Sequence, residues 1–283
     1  MTADEHMPTT EDMLRANARN WDARTPVHVA SGFYGLDGSR SPDGWFAPFE
    51  WDDLGALQGR DVLHLQCHLG VETQVFAGRG AANTVGLDFS GASVAEARRL
   101  AAEAGREVEF VRADVHRAVE ALGGRRFDVV YTGKGALCYL PDLHRWAEVV
   151  RDLLRPGGML YVVEFHPLLH ALGPVPQPGE HELLLRHDYL AGRGPVRHDS
   201  SHTYTDGPPL QSDTVSYEWR HGVGEVVGAA TAAGLTVDVL RETDLLPWRR
   251  FAAMEPAGDG WWRLPDAAPR IPLLYALRAV PHG

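Results

Sequence analysis

An α/β fold is predicted: a doubly wound, mostly parallel sheet of seven strands, with an antiparallel last strand and an inserted cap. Three observations predict it. From residue 61 onward, short and continuously apolar runs alternate with segments of helical spacing, the pattern of strands covered on both faces. The stretch Val62 to Asp88 reads strand, tight turn, helix, strand, acid. Near the end, two more strand-like runs follow one another with no regular helix between them, which suggests an antiparallel finish.

In order along the chain, residues 1–20 read as a polar lead-in with some helical character at Met13, Leu14 and Ala16. Residues 21–55 mix Trp21, Phe33, Tyr34, Trp45, Phe46, Phe49 and Trp51 with Gly and Pro. That is too aromatic for a disordered tail, so this segment is expected to pack over the rest. The first strand (Val62, Leu63, Leu65) feeds a turn ending at Gly70; a short helix covers Val71 to Gly78, and a second strand runs Thr84 to Leu87. Ser90 caps a helix through Val94, Ala97, Leu100 and Ala101, closed by Gly105. Val108 to Val111 and Phe127 to Tyr131 make the next two strands. Leu143, Trp146, Val149, Val150, Leu153 and Leu154 fall at helical spacing, and Pro156-Gly157-Gly158 turns the chain into a fifth strand, Met159 to Phe165.

Residues 167–220, rich in Pro, Gly and His, break this rhythm and read as an insertion over the sheet's C-terminal edge. A helix from Glu225 to Ala233, closed by Gly234, leads to a strand Leu235 to Leu240, and Leu273 to Val280 supplies the last one. The expected organisation is a lid segment (1–55), a ligand-binding α/β core (56–166), a substrate cap (167–220) and the rest of the core (221–283).

Composition excludes several function classes. An apolar fraction of 44% and a charged fraction of 23% are those of an ordinary globular protein. A formal net charge of −11, with no Lys/Arg stripe to offset it, makes nucleic acid a poor partner. No uncharged apolar run is long enough to span a membrane, so no membrane association is expected. The acidic start MTADEHMPTTEDM lacks a basic-then-apolar leader. Cys67 and Cys138 sit inside apolar elements, which points to a reducing, cytoplasmic setting. Oligomeric state stays open between monomer and homodimer.

The unit Val62 to Asp88 is of the kind that binds nucleotide-like ligands. Its turn offers backbone N–H groups and a helix N-terminus, and its terminal acid suits a pair of ribose hydroxyls. Asp88 lies eighteen residues beyond Gly70, near the spacing such a carboxylate takes. Four motifs in order then resemble the class I S-adenosylmethionine-dependent methyltransferases. Gly86-Leu87-Asp88-Phe89-Ser90 is similar to the acidic second-strand motif, and Arg112-Ala113-Asp114-Val115 to the adenine-binding element. Phe127-Asp128-Val129-Val130-Tyr131 resembles the fourth strand, and Leu154-Arg155-Pro156-Gly157-Gly158 the turn before the fifth. The run His64-Leu65-Gln66-Cys67-His68-Leu69-Gly70, with Trp261-Trp262-Arg263 and Ile271-Pro272-Leu273, further resembles a bacterial subgroup acting on small molecules.

The resemblance implies a Rossmann-like methyltransferase fold, S-adenosylmethionine as cofactor, and a small-molecule acceptor methylated on oxygen or nitrogen, for instance a natural-product intermediate. It implies cofactor contacts at Tyr34, Gln66, Cys67, His68, Gly70, Asp88, Phe89, Asp114, Val115, Thr132 and Gly133. Alternatives stand beside several of these. Asp88 is also placed to cap the Ser90 helix, Asp114 to be an ordinary turn residue, and Cys67 to be a packed thiol. The first motif departs from the family, with His64, Gln66 and His68 where an acid and two glycines are usual. Gln66 and His68 therefore sit at ordinary φ, or the loop differs locally. His64 cannot supply negative charge to an ammonium.

Methyl transfer from a sulfonium needs alignment and exclusion of water, and a base only where the acceptor must lose a proton. The candidate base is His166, directly after the fifth strand, with a loop-bracing role as its alternative. Lys134, Tyr139, Tyr217 and Trp219 are expected in the acceptor pocket, with Glu218 and His221 beside them; the alternative for the aromatics is a small core of their own. Trp21 and Tyr34 are candidates to close over the cofactor. No metal site is expected: His198 and His202 have helical spacing, but Asp199-Ser200-Ser201 reads as loop, and His181 and His187 add no ligand pattern. A fold that has lost methyl transfer is the competing function. A nicotinamide-dependent reductase would need a G-x-G-x-x-G turn and a Tyr-x-x-x-Lys pair that the chain lacks.

Overall fold

The computed structural model describes residues 7–173 and 183–282. Strands β1 (Asp61–Leu65), β2 (Asn83–Asp88), β3 (Glu109–Arg112), β4 (Phe127–Thr132) and β5 (Leu154–Phe165) come first, followed by β6 (Val196–Asp199), β7 (Val215–Glu218), β8 (Leu235–Thr243), β9 (Glu255–Gly258), β10 (Trp261–Arg263) and β11 (Leu274–Pro281). The helices are α1 (Thr10–Ala30), α2 (Pro48–Leu54), α3 (Val71–Gly78), α4 (Gly91–Glu103), α5 (Ala118–Ala121), α6 (Leu143–Leu153), α7 (Pro167–Ala171) and α8 (Val223–Ala232). Seven strands form one sheet in the order β3-β2-β1-β4-β5-β11-β8. The first five run parallel, and β11 lies antiparallel between β5 and β8. The mostly parallel sheet with its antiparallel last strand is thus as the sequence predicts.

Both faces of the sheet are covered, which is why its strands read as unbroken apolar runs. On one face Leu63, Leu65, Val130, Leu160 and Val162 pack under α6 and α8; on the other Val62, Val129, Tyr131, Tyr161 and Val163 pack with Leu54 of α2 and Phe76 of α3. Strand β5 begins before the Pro-Gly-Gly turn rather than after it, and its pairing with β4 shifts register there, from Leu154 opposite Phe127 to Met159 opposite Val129. The strand order reverses between β1 and β4. That opens a crevice at the C-terminal strand ends, where Leu65, Asp88 and Thr132 terminate.

The largest difference from expectation is α1. A polar lead-in followed by aromatic loop turns out to be one helix of 21 residues running through Pro26. Its start was written in the sequence as Thr9-x-x-Asp12: Asp12 N–H donates to Thr9 Oγ1 (3.2 Å) and Thr9 N–H to Asp12 Oδ2 (3.0 Å). Pro26 and the aromatic side chains beyond Trp21 obscured where it ends. Asp22 on this helix caps α4, accepting from Ser90 Oγ (2.6 Å) and Ala92 N–H (3.0 Å). Asn17 grips β7, donating to the Tyr217 carbonyl (2.9 Å) and accepting from the Tyr217 N–H (2.7 Å). Two small antiparallel pairs, β6–β7 and β9–β10, stand outside the main sheet. Among the described residues, no helix is long and apolar enough to cross a membrane.

Candidate active site

The crevice at the strand reversal opens into a cavity of about 580 Å³, a size that suits a small-molecule site. Its floor is the loop after β1. Here Cys67 N–H donates to the Leu87 carbonyl (3.1 Å) and His68 N–H to Asp88 Oδ2 (2.9 Å), tying the loop to the end of β2. Gln66 and His68 take φ of 56° and 48°, so the expectation of ordinary φ is corrected. The left-handed geometry that glycines usually provide is kept by two residues with side chains, held there by these bonds. Gln66 lines the cavity; its Nε2 donates to the Ala136 carbonyl (2.9 Å), while its Oε1 is buried with no partner.

Asp88 is buried, and its second oxygen accepts from Ser90 N–H (2.9 Å). Burial pushes its carboxyl up to about 6 against the pull of the two backbone donors. Phe89 and Gly133 line the same wall, and a Cβ on Gly133 would stand 3.2 Å from His64 Nε2. Beyond Gly133 the loop is shaped by Glu164, whose buried carboxylate accepts from the N–H groups of Gly135, Ala136 (2.8 Å) and Leu137 (2.9 Å). His64 stays neutral: burial, helped by Lys134, lowers its pKa to about 4, and its Nδ1 lies 2.9 Å from Thr73 Oγ1.

Lys134 and Tyr139 line the cavity as expected. The Lys134 ammonium lies 3.0 Å from Glu72 and 3.5 Å from the fully buried Glu50. Burial would strip its proton, but the two carboxylates outweigh burial and hold the ammonium above its ordinary range. Trp21, Phe33, Tyr34 and Trp45 form an aromatic wall, with the Tyr34 hydroxyl bonded to that of Tyr204. Behind it His28 Nδ1 meets His68 Nε2 (2.9 Å), and His68 Nδ1 meets Ser93 Oγ (3.0 Å).

Several expected site residues do not line the cavity. Asp114 caps the turn Val115–Arg117 instead, accepting from His116 N–H (2.8 Å) with His116 Nδ1 3.1 Å away; Val115 is buried in the core beneath it. Thr132 is buried, and Gly70, at φ 66°, sits against the Phe110 ring, where a Cβ would come within 2.5 Å. Tyr217 is held through its backbone by Asn17, and Trp219 N–H donates to the Cys138 carbonyl (2.7 Å). The pleat explains the exchange: on this strand and just past it, Glu218 and Arg220 face the cavity and the odd-numbered aromatics do not. His166 is also committed elsewhere. Its Nδ1 accepts from Leu168 N–H (3.1 Å) as the cap of α7, which leaves Nε2 protonated and facing Glu242 Oε1 (2.8 Å). No lone pair remains for an acceptor, and burial lowers its pKa.

His170, Trp248 and Arg250, which sequence reasoning passed over, line the cavity, as does His198, weighed there only as a metal ligand. They come from α7, β6 and the segment after β8, and no local spacing joins them. Among the described residues, no three His, Cys, Asp or Glu side chains converge to hold a metal; His181 lies outside those residues.

Residues 63–160 match the methyltransferase domain family model. They belong to the class I S-adenosylmethionine-dependent methyltransferase family. The ubiquinone biosynthesis O-methyltransferase of Pseudomonas aeruginosa is 32% identical over 111 residues, 39% of this chain and 47% of that one. The same enzyme of Cronobacter sakazakii is 30% identical over 137 residues, 47% and 55% of the two chains. The chain thus spans about half the length of the curated relatives it matches. Solved structures share the fold. A complex of DhpI with S-adenosylhomocysteine aligns with TM-score 0.57 at 19% identity, covering 96% of this chain and 98% of that one. A glycopeptide N-methyltransferase, MtfA, with S-adenosylmethionine aligns at 0.54 and 19%, covering 86% and 95%.

Proposed function

We propose that this chain binds S-adenosylmethionine in the crevice above β1 and β2 and transfers its methyl group to an oxygen or nitrogen of a small molecule, a natural-product intermediate being one such acceptor. One observation carries the reading: the loop 66–69 keeps the left-handed backbone of a cofactor-binding turn, although Gln66 and His68 replace glycines and strain it. A loop with no ligand to shape itself around would have no reason to hold that strain. The residues present fit the cofactor. Asp88 keeps lone pairs for two ribose hydroxyls beside its two backbone bonds, and the unpartnered Gln66 Oε1 is an acceptor for the ammonium. Glu72 adds negative charge that His64 does not.

When bound, the cofactor supplies an electrophilic methyl on a sulfonium. The chain's contribution is positioning and dryness. The wall of Trp21, Phe33, Tyr34 and Trp45 acts as the lid, and residues of α7, β7 and the segment after β8 hold the acceptor. Where the acceptor must lose a proton, His170 takes the place first given to His166. It lines the cavity, and burial lowers its pKa to about 4, so the imidazole is neutral.

Calorimetry with S-adenosylhomocysteine and with NADH tests the reading. Heat with the first and none with the second is expected. No heat with S-adenosylhomocysteine, using well-folded protein, refutes it and favours a fold that has lost its ligand.

A further inference from the structure

Among the described residues, the side of the cavity built by β7 and the segment after β8 carries more positive charge than carboxylate. Arg220 is 9% exposed and lines the cavity. Among the described residues its carboxylate partner is Glu218, at 3.4 Å, and its Nε is buried without a hydrogen-bond acceptor. Arg250 donates Nη2 to the Gly173 carbonyl (2.8 Å), and its Nε is likewise buried and unpartnered. Arg24 stands behind Tyr139, 3.4 Å from its hydroxyl, with a third buried Nε in the same condition. Among the described residues, Glu218 is the carboxylate that acts on Arg250, and it is shared with Arg220 and with His198 at 3.4 Å.

A guanidinium does not escape burial by losing its proton. Unmatched N–H groups on a buried cation are therefore costly unless something else accepts from them. Bracing of the surrounding segments explains the Arg250–Gly173 and Arg220–Glu218 contacts, but not why two guanidinium side chains line the cavity with one described carboxylate between them. The planar fork of arginine matches the paired oxygens of carboxylates and phosphoryl groups. Phe165, Leu169 and Trp248 flank these cations with apolar surface, so the same space favours a flat, apolar body.

We propose that the acceptor carries an anionic group, a carboxylate or a phosphoryl group, which Arg220 and Arg250 hold while the rest of the molecule lies against Phe165 and Trp248. This rests on the methyltransferase reading and names its substrate class. The acid fixes the acceptor's orientation, and the two guanidinium groups disfavour cationic analogues.

The test is calorimetry on the full chain saturated with S-adenosylhomocysteine, titrated with benzoate, phenylphosphonate and the neutral benzamide. At least one anion binds about tenfold or more tightly than benzamide. Arg220→Gln and Arg250→Gln each abolish that preference, with S-adenosylhomocysteine affinity held within about twofold as the check on folding. Whichever anion binds better identifies carboxylate or phosphoryl recognition. Equal binding of benzamide by the unaltered protein overturns the proposal whatever the variants do. So does failure of both anions to bind at millimolar concentration, or a preference that survives both substitutions. Loss of S-adenosylhomocysteine binding by the unaltered protein would defeat the parent reading instead.

Discussion

Two clusters of buried charge share one cavity and are balanced in opposite ways. Beside β4, Lys134 lies between Glu50 and Glu72, and Glu50 also accepts from Ala47 N–H and the Tyr131 hydroxyl, so these buried groups are satisfied within the protein. Beside β7, Arg220 and Arg250 divide a single carboxylate and keep unpartnered Nε donors. A buried charge satisfied from within serves the scaffold. One left short of acceptors is available to a ligand, and the folded chain carries its cost until the ligand arrives.

The comparison breaks most sharply through stability. Lys134→Met strands two carboxylates in the interior and should cost about 3–5 kcal/mol in chemical denaturation. Arg250→Gln removes an under-matched cation and should stay within about 1 kcal/mol of the parent. Equal losses in the two variants would erase the distinction drawn between the clusters.

Asp88 comes next. Asp88→Ala removes the acceptor of two backbone N–H groups and of the ribose, and S-adenosylhomocysteine affinity should fall about a hundredfold by calorimetry. The same carboxyl sets a pH signature. Its folded pKa, about 6, lies above the unfolded value of about 4. The native protein therefore binds the extra proton between those limits, and ligand-free stability contributed by this group is lost as pH rises through about 6. Hydroxyl donors favour the charged form, so cofactor affinity should climb over that window with proton release. Titrations in buffers of different ionisation heat would detect the release, and its persistence in Asp88→Ala would reassign it.

Smaller effects separate strain from contact. Gln66→Ala keeps the left-handed φ and loses the bond to the Ala136 carbonyl, whereas Gln66→Gly loses the bond but relieves the backbone. The glycine variant should be the more stable by about 1 kcal/mol. His166→Ala should lower stability by about 1 kcal/mol through the lost α7 cap, with turnover near that of the parent. A collapse of turnover would return His166 to the chemistry.

The same contrast governs how much was legible in the sequence. The proposed cofactor side is nearly contiguous: one strand-turn-helix-strand unit carries Gln66, His68 and Asp88, so local spacing alone points to it. Asp114 has the right residue type, but its carboxylate is taken up by the turn it starts, which spacing does not report. The acceptor side is assembled from α7, β7 and the segment after β8, so no pattern within any one stretch announces it. On β7 Glu218 was expected in the pocket together with Tyr217 and Trp219, but Arg220 was not, and a single step along a strand reverses which face a side chain serves. The helix α1 was read only in part. Helical character was expected at Met13, Leu14 and Ala16, but its extent depends on partners about 70 and 200 positions away on α4 and β7, and Pro26 argues against it locally.

That distance bears on how the molecule is made. The Asn17 amide plays the part of a neighbouring strand for Tyr217, meeting both its N–H and its carbonyl across 200 positions of chain. Helix α1 is seated on two regions far apart in sequence, α4 some 70 positions on and β7 some 200 positions on. The wall it contributes through Trp21 is therefore complete only when both have folded beneath it.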